Sequence, residues 1–146
     1  MNYEVVYLDE KIVVGLSKRV NMDDPNMGEI IGNMWEKLYQ GGINQKINNK
    51  KNEYAIGLYS DYEKDSYLVS VGNEVSKNEN KDLDSKIVPA GKYAKFSIEG
   101  HMVDAVVEAW EKIWKMDLDR SYTGDFEEYL NADWENAKID IYIALK

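Results

Sequence analysis

Met27-Gly28-Glu29-Ile30-Ile31-Gly32-Asn33-Met34-Trp35-Glu36-Lys37-Leu38-Tyr39 reads as an amphipathic helix. Met27, Ile30, Ile31, Met34, Trp35, Leu38 and Tyr39 recur at helical spacing and make one broad apolar stripe. Asp23-Asp24-Pro25-Asn26 precedes it with residues suited to a helix start, and Asn26 with Glu29 has capping-box spacing. Gly41-Gly42 closes it. A helix with one apolar face must bury it against another helix or against a sheet, so the choice rests on whether its flanks supply strands.

They do. Upstream, Asn2 to Leu8 is apolar and β-branched. After a turn at Asp9-Glu10-Lys11, Ile12, Val14 and Leu16 alternate with Val13, Gly15 and Ser17. Downstream, a polar loop runs from Asn44 to Asn52. Tyr54, Ile56 and Leu58 then alternate as a strand, Asp61 to Ser66 makes a hairpin connection, and Tyr67, Val69 and Val71 form the next strand. Asn73 to Ser85 is highly charged and reads as a surface loop.

The second half repeats the order. Pro89-Ala90-Gly91 introduces a strand from Lys92 to Ile98. Glu99-Gly100-His101 leads into a helix striped by Val103, Val106, Val107, Trp110, Ile113 and Trp114. Phe126 to Leu130 is a short strand, Asn131 to Asn136 turns, and Ile139, Ile141, Ile143 and Leu145 close the chain. The expectation is an α+β fold: strand-helix-strand-strand twice, about residues 12–76 and 91–145, after one leading strand. The two copies share one antiparallel sheet within a single domain over 1–146, with two covering helices and a central groove.

Composition narrows the function. The chain has no cysteine and one histidine, so thiol chemistry is excluded and a zinc site is not expected. The net charge of −9 opposes phosphate backbones, so no direct nucleic-acid contact is expected. No stretch approaches the roughly 20 apolar residues of a membrane span, and the N-terminus lacks signal-peptide character. The expectation is a cytoplasmic protein without a membrane partner. No phosphate loop, nucleophile elbow or cofactor motif is present. Four tryptophans and eleven tyrosines against two phenylalanines suit a wet pocket or an interface better than a dry core. His101, beside Gly100 at a helix start, reads as a cap or surface residue.

Asp125-Phe126-Glu127-Glu128-Tyr129 sets an acidic pair among aromatics. Strand alternation puts Glu127 and Tyr129 on one face and Phe126, Glu128 and Leu130 on the other. Periodicity leaves open which glutamate is buried. A carboxylate in an aromatic wall either pairs with a cationic, apolar ligand or handles a proton.

Six segments in order carry a resemblance. They are Ile31 to Leu38, Tyr54 to Tyr62, Val88 to Phe96, Trp110 to Trp114, Asp125 to Tyr129 and Ile139 to Ile143. Together they resemble the gyrase-inhibitor-like effector-binding domains, which include the ligand-sensing domains of AraC-type and MerR-type transcription activators and stand-alone versions of them. The resemblance implies a groove for amphipathic, often cationic compounds with a glutamate near its floor, which falls on Glu127. It implies an aromatic wall from Trp35, Tyr59 and Trp110, with Tyr67 and Tyr93 as further members. No cofactor is expected, with a haem-binding relative of the same fold as a third reading to which the lone His101 lends little support; the expected output is regulatory or drug-sequestering and could run through a separate regulatory protein. Some stand-alone members hydrolyse reactive cyclopropane-bearing compounds with a groove glutamate and tyrosine, which makes Glu127 a catalytic base in the alternative reading.

Overall fold

The computed structural model describes residues 1–146. The strands are β1 (Glu4–Leu8), β2 (Lys11–Asn21), β3 (Ala55–Ser60), β4 (Ser66–Val75), β5 (Asp84–Val88), β6 (Gly91–Gly100), β7 (Asp125–Tyr129) and β8 (Ala137–Ala144). The helices are α1 (Met27–Tyr39), the one-turn α2 (Ile43–Lys46) and α3 (Met102–Trp114). All eight strands form one antiparallel sheet in the order β1-β6-β8-β7-β3-β4-β2-β5. Read from the centre, β3-β4-β2-β5 mirrors β7-β8-β6-β1. The two strand-helix-strand-strand units therefore meet at the β3–β7 seam, where Gly57 pairs with Glu127. No helix is long and apolar enough to cross a membrane.

Both large helices lie on one face of the sheet. Met34 and Leu38 of α1 pack with Val14, Val69 and Val71, and Ala109 and Ile113 of α3 pack with Phe96, Ile139, Ile141 and Ile143. The other face holds a third cluster of Val13, Ile56, Leu58, Val88, Tyr93, Phe126, Tyr142 and Ala144. Val6 and Leu8 of β1 pack against this cluster too, so residues from both edge strands touch it and the sheet curls over that face. Each fully buried large apolar side chain contributes about 1.5–3 kcal/mol. Gly15 and Gly72 pair across β2 and β4, and a Cβ on either would run into the backbone of the other strand.

Three local expectations are corrected. Asn26 sits at the N-cap of α1 but makes no side-chain cap bond; the Asp24 carboxylate accepts from the Asn26 N–H instead. The 73–85 segment is not all loop: β4 runs on to Val75, and Asp84 opens β5, which pairs with β2 at the sheet edge. The Asn44–Asn52 loop contains most of α2 and a bridge from Lys50 to Val75. His101 does cap α3, its Nδ1 accepting from the Asp104 N–H at 3.4 Å.

Candidate functional site

The seam between the two units positions the site. β7 places Glu127 at the middle of the sheet, on the face under the helices. Its side chain is 2% exposed, and Glu128, on the opposite face, is only partly buried. Glu127 is thus the buried member of the pair that the sequence left open.

Three neutral groups hold the Glu127 carboxylate. Tyr129 donates its hydroxyl to Oε1 at 2.7 Å. Trp110 donates its indole N–H to Oε2 at 2.7 Å, and Tyr59 donates its hydroxyl to the same oxygen at 3.0 Å. No lysine or arginine pairs with it. Burial pushes the Glu127 carboxyl above the usual range, and the three hydrogen bonds only partly oppose that shift. The same burial, with the Glu127 charge beside them, raises Tyr59 and Tyr129 well above ordinary tyrosine values, so both stay donors.

Rings close over these bonds. Trp35 of α1 meets Tyr129 edge-on at 5.4 Å and stacks with Tyr39 at 6.3 Å. Tyr59 meets Trp110 at 5.7 Å and Tyr67 at 5.6 Å. Tyr67 donates its hydroxyl to the Met27 sulfur at 3.3 Å, tying this end of the cradle to α1. Gly57 lies under Trp35: a Cβ there would stand 3.1 Å from Trp35 Cζ2 and 3.4 Å from Glu127 Oε1. On α3, Val103, Val107 and Trp114 are exposed instead of packed as the apolar stripe suggests. By helical periodicity they share a flank with Trp110, so the solvent-facing side of α3 beside the cradle is apolar.

A second buried acid sits two residues earlier. Asp125 is fully buried and accepts from Arg120 Nη2 at 2.6 Å, from the Tyr62 hydroxyl at 2.6 Å and from the Ala144 N–H at 2.8 Å. Arg120 also covers the Tyr122 ring at 4.3 Å. Tyr62 touches Tyr67 at 6.0 Å, so rings connect the two carboxylates.

The structure brings together Glu127, Trp35, Tyr59, Trp110 and Tyr67. It does not place Tyr93 with them. Tyr93 lies on the opposite face, against Phe126 and Tyr142, and donates its hydroxyl to the Pro89 carbonyl at 2.6 Å. Sequence reasoning missed Tyr129 and Gly57 as parts of the site. The signal for Tyr129 was its period-two spacing from Glu127. No sequence signal marks Gly57: its place comes from the strand register that pairs it with Glu127. No group of three or more potential ligands is placed to hold a metal ion.

This arrangement can neutralise a positive charge and wrap it in rings, where each good cation–π contact contributes about 0.5–2 kcal/mol. The comparisons agree with such a fold. Residues 1–146 match a family model described as a GyrI-like small molecule binding domain. No curated protein matches the chain. Among solved structures, an integron cassette protein from the mobile metagenome of Vibrio cholerae is similar at 25% identity and TM-score 0.76, covering 99% of this chain and 95% of its own. SAV2435, solved bound to tetraphenylphosphonium, is similar at 18% identity and TM-score 0.85, covering 100% and 94%. A Staphylococcus aureus MU50 protein named for bacterial transcription regulation is similar at 17% identity and TM-score 0.82, covering 100% and 99%.

Proposed function

The chain belongs to the GyrI-like small molecule binding domain family, and from that premise we propose that it binds lipophilic cations between α1 and α3 with Glu127 as their counter-ion. One observation carries the reading. Glu127 is 2% exposed and held only by neutral donors, Tyr59, Trp110 and Tyr129. A buried carboxylate without a cation carries a desolvation cost that an incoming positive charge offsets. The half-buried rings of Trp35, Tyr59, Tyr67 and Trp110 supply apolar and cation–π contact for the rest of the ligand. The tetraphenylphosphonium bound to SAV2435 is a compound of this class.

Residues 1–146 act in this reading as one effector-binding domain, its two repeats contributing one helix each to the groove. The output is regulatory or sequestering: a ligand-dependent change passed to a separate protein, or capture itself. The net charge of −9 opposes direct contact with nucleic acid. A cytoplasmic setting suits the ligand class, because an inside-negative membrane potential draws lipophilic cations inward by about 2.3 kcal/mol per charge per 100 mV. A hydrolytic role would need a water on Glu127, and the three donors leave about one of its roughly four acceptor sites for it, so binding is the better supported reading.

Thermal shift tests the proposal. Tetraphenylphosphonium should raise the melting temperature of the protein in a concentration-dependent way, and tetraphenylborate, its anionic counterpart in shape, should not. Equal shifts with both ions would mean that apolar burial alone drives binding and that Glu127 is not a counter-ion.

A further inference from the structure

The seam pair Gly57–Glu127 relates the two halves of the site. Tyr59 and Tyr129 each stand two residues beyond it on their own strands, and both donate to Glu127. Trp35 and Trp110 hold matching places in Trp35-Glu36-Lys37-Leu38-Tyr39 and Trp110-Glu111-Lys112-Ile113-Trp114. The halves therefore match at the tyrosine and at the tryptophan. They differ at the seam, where one supplies a glutamate and the other a glycine.

We infer that Gly57 is a specificity-determining residue, restricting the site to ligands with a single positive charge and seating Trp35 on the groove floor. This rests on the counter-ion reading above and deepens it. With glycine at 57, Glu127 is the one carboxylate of the groove floor without a resident cation, because Asp125 is committed to Arg120 at 2.6 Å. Glu36 and Glu111, on the groove helices, are exposed to solvent. A dication would carry its second charge among rings with no second acid, and an unpaired buried charge is costly. A Cβ at 57 would stand 3.1 Å from Trp35 Cζ2, so even alanine makes the indole give by a few tenths of an ångström, and a longer side chain would have to displace the indole or crowd the carboxylate. The favoured ligand is an onium monocation whose charge is shielded by aryl or bulky alkyl groups.

Calorimetric titration tests this with tetraphenylphosphonium and a bis-phosphonium in which a short alkyl chain joins two triphenylphosphonium groups. The wild-type protein should prefer the monocation by about tenfold or more, a difference of about 1.4 kcal/mol. Gly57→Ala should weaken the monocation about five- to tenfold, and in a Trp35→Phe background the same change should cost less than about twofold, because the obstructed ring is gone. Equal or tighter binding of the dication overturns the charge argument, and that comparison needs no variant to fold. Gly57→Ala binding like wild type, or losing affinity equally in both backgrounds, overturns the steric one. If wild type ignores tetraphenylphosphonium, or Glu127→Gln binds it as well as wild type, the counter-ion reading itself fails and this inference falls with it.

Discussion

Asp125 and Glu127 stand two residues apart on β7, on the same face by strand alternation, and both are buried. Asp125 has a resident cation, Arg120, at 2.6 Å, a tyrosine hydroxyl and a backbone N–H. Glu127 has two tyrosines and an indole, all neutral. The difference separates structure from function within one strand. A carboxylate whose charge is already balanced by the chain ties elements together, here β7 to β8 and to the Arg120 segment. A carboxylate left with neutral donors keeps its charge available for something that is not part of the chain.

The sharpest way to break the comparison is to remove one partner from each acid. Arg120→Ala leaves Asp125 buried without its cation and should cost about 3–5 kcal/mol of stability in a denaturant titration. Glu127→Gln should cost little or even stabilise the unliganded protein at neutral pH. The folded-state pKa of Glu127 is raised above its unfolded value of about 4.3, so the folded chain holds this proton more tightly. Its contribution to stability is therefore present at low pH and lost as pH rises through the folded pKa, a slope absent from the Gln variant. If the two substitutions destabilise equally, both acids are structural and the contrast fails.

Next in size is the pH dependence of binding. A cation pairs with the ionised form, so affinity for tetraphenylphosphonium should rise up to about tenfold per pH unit below the raised pKa of Glu127 and level off above it. Fluorescence titrations across a pH series would show this, and a flat profile would mean that Glu127 is ionised throughout or uninvolved.

Smaller effects sharpen the picture. Tyr129→Phe removes one hydrogen bond to the carboxylate, a loss of about 1.5–3 kcal/mol for a charged acceptor, and should push the midpoint of the pH profile further up. Tyr93→Phe should be the mildest. It removes only the bond to the Pro89 carbonyl, about 0.5–1.5 kcal/mol of stability, and should leave cation affinity unchanged. A loss of binding in Tyr93→Phe would link the two faces of the sheet in a way their geometry does not suggest.

Much of this was legible in the sequence, and the gaps have physical causes. The helical stripes at Met34-Leu38 and Ile113 and the period-two strands gave the order of elements, because each carries an apolar face that must be buried. β5 was hidden because Asp84-Ser85-Lys86 opens it with polar residues, which an edge strand paired only with β2 tolerates. Glu127, Trp35, Tyr59, Tyr67 and Trp110 were named from a resemblance, and the structure gathers them. Tyr93 was misplaced because alternation says that two residues share a face, not which face of a curled sheet it is. It puts Tyr93 opposite Ala94, and only the packing of Ala94 against the α3 cluster shows that Tyr93 points away from the helices. Tyr129 lay in plain view at period two from Glu127. Its role depends on a 2.7 Å contact that no spacing rule supplies.

The most direct test of the central claim is calorimetry of tetraphenylphosphonium binding in two buffers of different ionisation enthalpy, for wild type and Glu127→Gln, near the raised pKa of Glu127. The wild-type protein should bind saturably with proton release, and the variant at least about tenfold more weakly with no proton release. Equal affinity and equal proton release in the two proteins would contradict it, and would leave Glu127 as one more buried group of the fold.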